Sequence, residues 1–131
     1  MIAGTLHSGG ADTPGPIQGL GTEPIYFDIG LPGGGEFRHD LPQGHNAFVY
    51  LYEGVLCVGA CDSQPLQRRC AGVLGAGVAV TLRAGAEGAR LILLAARPLN
   101  EPVAQYGPFV MNTREELEQA VRDYQSGRLT A

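Results

Sequence analysis

The sequence predicts an all-β domain closed by one C-terminal α-helix. Short runs of β-branched and aromatic residues recur along the first hundred positions, each bounded by Gly, Pro, Asn or Asp. Twenty glycines and nine prolines in 131 residues suit many short strands joined by tight turns. Only after Asn112 does the apolar spacing change from a strand period to a helical one.

In chain order, Ile2–Leu6 is a possible first strand, and Ser8–Gly21 (SGGADTPGPIQGLG) reads as a flexible loop. Strands are then expected over Ile25–Leu31, Glu36–Asp40, Ala47–Glu53, Val55–Val58, Val78–Arg83 and Ala89–Ala96. Pro32-Gly33-Gly34-Gly35, Pro42-Gln43-Gly44 and Ala84–Gly88 supply turns between them. In NAFVYLYEGVLCVG, Phe48, Tyr50 and Tyr52 share one strand face and Ala47, Val49 and Leu51 the other. Both faces are apolar or aromatic, so this strand is expected to be covered on both sides, with Gly54 turning the chain into Val55–Val58. Residues 101–112 form an extended segment. A helix follows over 113–127, with Thr113 as N-cap, Glu116 completing a capping box, and Leu117, Ala120, Val121 and Tyr124 on one face before Gly127.

At this length the chain is expected to be a single domain, 1–131, with a core that needs no staples. A net charge of −4 argues against a sequence-independent nucleic-acid binder. All nine basic residues are arginines, which rules out a lysine base or Schiff base within this sequence. No apolar run reaches membrane-spanning length, and Met1–Leu6 lacks the features of a signal peptide, so a cytoplasmic protein without membrane contact is expected.

Several chemistries lack their residues. Ser8, Ser63 and Ser126 lie in loop or helix-end contexts that suggest no hydrolase arrangement, and no helix opens after Gly33-Gly34-Gly35 to make a phosphate cradle. Cys57, Cys61 and Cys70 do not have zinc-site spacing. Cys57 is expected as a small core residue, while Cys61 and Cys70 flank a loop that a disulfide would close.

Three segments carry a family resemblance: LPQGHNAFVYLYEGVLCVG (Leu41–Gly59), LRAGAEGARLILLAARPLNEPV (Leu82–Val103) and EPVAQYGPFVMNTREELEQAVRDYQSG (Glu101–Gly127). Together they resemble the C-terminal cupin domain of pirin-family proteins, in the cupin superfamily. The phrase YGPFVMNTREE is the most specific part. The resemblance implies a single cupin double-stranded β-helix, or jelly roll, with a C-terminal α-helix. Most pirin-like proteins have two cupins, and the first carries an iron-type metal held by histidines and a carboxylate.

Set beside a metal cupin, the sequence departs from the ligand pattern. Asp40, Leu41 and Pro42 stand where His-x-His is expected, and Gly85–Ala96 contains no later histidine. The resemblance therefore implies a domain with no catalytic residues and no metal cofactor, serving assembly or regulation. Its partner would be a second copy in a homodimer or a separate cupin domain. The alternative is a quercetin-type dioxygenase with one iron-type divalent ion on His39, Asp40 and His45, with Glu36 a further carboxylate nearby. A third reading is a small-molecule-binding cupin whose pocket uses His45, Phe48, Tyr50 and Tyr52. Tyr106, Phe109 and Met111 in the terminal segment are expected to form an interface, since their usual neighbour domain is not in this sequence.

Overall fold

Two long, bent strands carry the architecture. The computed structural model describes residues 1–8, 10–19, 21–60 and 65–129. The chain divides into two units, Met1–Pro98 and Leu99–Ala131. The first holds β1 (Thr5–Ser8), β2 (Ala11–Pro14), β3 (Ile25–Leu31), β4 (Glu36–Asp40), β5 (Asn46–Val58), β6 (Cys70–Val73) and β7 (Ala79–Ala96). Strand β7 pairs antiparallel with β5 along almost its whole length, with β3 through its second half and with β4 through its first. Strand β6 extends β5 at one edge, and β1 and β2 form a separate hairpin. Every ladder pairing in the first unit is antiparallel.

Alternation decides which side chains face inward. Ile25, Phe27 and Ile29 from β3, Ala47, Val49 and Leu51 from β5, and Ala89, Leu91, Leu93 and Ala95 from β7 are buried. Leu56, Val80, Leu82 and Ala84 continue the core on the far side of the bends. Six of these side chains (Val49, Leu51, Leu56, Leu82, Leu91 and Leu93) are fully buried, so the roll is filled with aliphatic carbon.

The bends replace turns that the sequence predicts. Gly54 does not close a hairpin: β5 runs straight through it, with register shifts between Leu51 and Glu53 and between Gly54 and Leu56. Gly54 has φ of 81°, and a Cβ there would overlap the Gly88 carbonyl oxygen of the facing strand. Glycine thus permits a bulge that folds the strand around the core. In the same way, the expected strands Val78–Arg83 and Ala89–Ala96 belong to one strand, with Ala84–Gly88 inside it. Two further differences are β2, which lies within the predicted 8–21 loop, and β6, which the pattern does not signal. The expectation that β5 is covered on both faces also fails within this structure. Its inner face is buried, but Phe48 on the outer face is 41% exposed and Tyr50 and Tyr52 are only half-buried.

In the second unit the extended segment is a hairpin, β8 (Ala104–Tyr106) with β9 (Phe109–Met111), reversed at Gly107-Pro108. Helix α1 spans Arg114–Gln125. Thr113 Oγ1 accepts from Glu116 N at 3.2 Å while Glu116 Oε2 accepts from Thr113 N at 2.9 Å, the reciprocal box predicted from the sequence. Gly127 follows with φ of 70°. No helix among the described residues is long and apolar enough to cross a membrane.

Candidate functional site

Alternation along β4 sends His39 and Asp40 to opposite faces. His39 is 3% exposed and is the one buried polar residue of the described core, whereas Asp40 is exposed. The His39 ring stacks nearly parallel on His7 with centroids 5.7 Å apart, meets Phe27 edge-on at 5.0 Å, and lies 6.1 Å from Phe37. Its Nδ1 is buried without a hydrogen-bond partner among the described atoms. Burial, reinforced by the neighbouring His7, holds its pKa below the usual histidine value, although the Asp40 charge pulls the other way. His7 is exposed and is anchored across its hairpin by Asp12, with Nδ1 2.6 Å from Oδ1.

His45 occupies a different environment. The Pro42-Gln43-Gly44 turn is closed by His45 N donating to the Pro42 carbonyl at 3.2 Å, which tucks the imidazole inward to 2% exposure. Its Nε2 lies 3.6 Å from Glu23 Oε2, and the other Glu23 oxygen is 2.6 Å from Arg97 Nη2. Arg97 holds the Glu23 carboxyl below the ordinary carboxylate range, with His45 adding to the effect. The cluster links the entry to β3, the start of β5 and the residue after β7. Glu36, the other carboxylate considered, pairs instead with Arg83 at 2.6 Å.

These residues do not fit a metal ion. No group of three or more His, Cys, Asp or Glu among the described residues is placed to hold one. His39 is packed between rings, Asp40 points to the other face, and His45 is engaged with Glu23. The inward positions of β3, β5 and β7, which would have to supply ligands from inside the roll, carry Ile, Phe, Ala, Val and Leu.

The proposed pocket residues are also dispersed. Phe48, Tyr50 and Tyr52 point outward from the sheet, away from the filled interior, whereas the His45 side chain is buried. Tyr52 hydroxyl donates to Asp28 at 2.6 Å, and this bond raises its pKa. Arg90 sits 5.3 Å over the Tyr52 ring, and Arg68 Nε donates to the Tyr52 carbonyl at 3.2 Å. Cys57 is disulfide-bonded rather than a free core thiol, and Cys70 is free and exposed, so the Cys61–Cys70 bridge is not formed. Cys61 itself, like Ser63, lies outside the described residues.

Within the second unit, Phe109 packs edge-on against Tyr124 with centroids 5.8 Å apart, and Met111 is half-buried. Tyr106 is 71% exposed and borders an apolar groove with Ala104, Leu117 and Val121. Sequence reasoning missed the Glu23–Arg97–His45 cluster. Its members are separated by 22 and 52 residues, and no local pattern marks an ion pair of that span.

The chain is similar in sequence and in fold to known proteins. A protein of Pseudomonas aeruginosa named "Putative quercetin 2,3-dioxygenase" is 46% identical over 130 residues, 98% of this chain and 45% of the relative. A pirin-like protein of Caulobacter vibrioides is 42% identical over 129 residues (98% of this chain, 44% of the relative), and human pirin 35% over 109 (82% and 38%). The crystal structure of quercetin 2,3-dioxygenase from Acinetobacter baumannii superposes with a TM-score of 0.80 at 31% identity, covering 99% of this chain and 43% of that one. The chain therefore spans less than half the length of these relatives. The family model of the pirin C-terminal cupin domain matches residues 26–130, and the chain belongs to that family.

Proposed function

We propose that this domain is a non-catalytic half of a quercetin 2,3-dioxygenase-type cupin assembly, contributing association rather than chemistry. The observation that carries this reading is the inside of the roll. Where a cupin enzyme would need converging imidazoles and a carboxylate, the inward side chains are aliphatic, and His39 is stacked on His7 and packed against Phe27 and Phe37, with no third ligand-type residue grouped with them among the described residues. Because the chain spans less than half of its relatives, activity named for them belongs to a larger protein, and a second cupin domain is the proposed partner. The test is oxygen consumption with quercetin by the 131-residue chain supplied in turn with iron, copper, nickel and manganese. No turnover above buffer is expected. Metal-dependent turnover abolished by His39→Ala or His45→Ala would contradict the proposal.

The dioxygenase reading in this chain itself is favoured by one observation, the names of its relatives. His39, Asp40 and His45 would have to leave their present partners to serve it.

A further inference from the structure

The β1–β2 hairpin is fastened to the roll differently from the other strands of the first unit. Its two strands pair only with each other, whereas β3 to β7 share one sheet. Among the described residues, backbone hydrogen bonds close its base, where Gly15 N donates to the Gly4 carbonyl at 2.8 Å and Gly4 N to Ile17 at 3.3 Å. Beyond that base the hairpin is held by side chains. Leu6 packs against the core and His7 stacks on His39, while all four β2 residues are exposed. A cavity of about 500 Å³ is bordered by Thr5 and His7 of the hairpin and by Ile25, His39 and Leu41 of the roll.

The stack that holds the hairpin is sensitive to charge. The two rings lie 5.7 Å apart and 8° from parallel, so a proton on each sets two cations face to face. Asp12 Oδ1, 2.6 Å from His7 Nδ1, offers His7 a counter-charge. His39 has no such partner. Phe27 from β3 and Phe37 from its own strand are uncharged, and its β7 neighbour is Val80. Its Nδ1 is buried without a hydrogen bond among the described atoms. Arg38 and Asp40 flank it on the opposite face of β4, and Glu23, which also borders the cavity, is engaged by Arg97 and His45. Charging both rings therefore favours an arrangement in which water separates them. His39 is fixed in the sheet, so the hairpin is the part that can move.

We propose that the β1–β2 hairpin is an acid-released flap, docked on β4 through the His7–His39 stack and lifted from the cavity when both rings are protonated. Burial and the neighbouring His7 make the docked His39 a weaker base, despite the opposing Asp40 charge. Lifting the hairpin removes both causes, so acid shifts the balance toward the lifted state and neutral pH restores docking. The flap is independent of the non-catalytic reading, and its test uses no substrate.

Amide hydrogen exchange of the full chain, corrected for the intrinsic effect of pH, tests it. An unsupported two-stranded hairpin is barely stable in water, so lifting is read as lost protection in β1 and β2. From pH 7 to pH 5 their protection is expected to fall at least about ten-fold while β7 keeps its own. His39→Phe and His7→Phe each leave at most one charge in the stack, and both are expected to hold the hairpin's protection constant over that range. Protection of β1 and β2 that does not change with pH in the wild type overturns the proposal. So does a loss shared by β7, which is global unfolding. A loss that persists in either variant while β7 stays protected also overturns it, because the titrating group would then lie elsewhere.

Discussion

His39 stacks on His7 and packs against Phe27, so a proton added to its ring meets a second imidazole before it meets a carboxylate. The groups acting on it are His7, which disfavours the charge, and Asp40, which favours it. Asp12 acts indirectly by holding His7. The folded-state pKa lies below the ordinary 6.5, so the unfolded chain takes up the proton first as pH falls. This contribution is constant above pH 6.5, and stability declines as pH drops from there toward the folded value. Urea midpoints between pH 7 and pH 5 should fall for the wild type and fall less for His39→Phe, whose ring suits the aromatic surroundings. An unchanged slope in the variant would sink this account. Glu23 acts in a separate window. Its lowered pKa makes its contribution fade only below its ordinary 4.5. Of these features, the opposed faces of His39 and Asp40 are legible from strand alternation, because adjacent residues cannot point together. Glu23 with Arg97 is not legible, since it depends on how three distant chain segments converge.

At the scale of elements, β3 and β4 begin and end where alternation and the flanking Pro and Gly residues predict. The turn expected at Gly54 is a bulge instead, for a physical reason. A glycine with positive φ serves a hairpin turn and a bulge equally well, and only the facing strand decides between them. Gly54→Ala should therefore cost on the order of 3 kcal/mol in denaturant unfolding, combining left-handed strain with overlap against backbone that cannot swing aside. Gly44→Ala, also at positive φ but facing open space, should cost only about 1 kcal/mol. Equal costs at the two positions would contradict the bulge explanation. β6 and the β8–β9 hairpin escaped sequence reasoning because strands of three or four residues carry too little alternation to register. The α1 cap, by contrast, is local chemistry and was legible. Thr113→Ala should destabilise the helix by about 1 kcal/mol, read as faster amide exchange in its first turn, with the β7 amides unchanged. Loss of protection throughout the first unit would show that the cap matters beyond its own helix.

At the scale of the molecule, the fold class followed from repeated short apolar runs and a single change of period near the end. The family followed from wording in the last third of the chain, and the match over residues 26–130 agrees with it. What the sequence left open was whether scattered histidines could converge. His39 and His45 are six residues apart, but the intervening turn sends one imidazole among aromatic rings and the other to Glu23. The aliphatic filling of the roll leaves no inward polar position beside His39 in the described core. The central claim is that this domain has no metal centre of its own. The most direct measurement is the metal content of the 131-residue chain purified without chelators, by elemental analysis. The account predicts iron, copper, nickel and manganese all far below one ion per chain. Near-stoichiometric metal that is lost in His39→Ala or His45→Ala would contradict it.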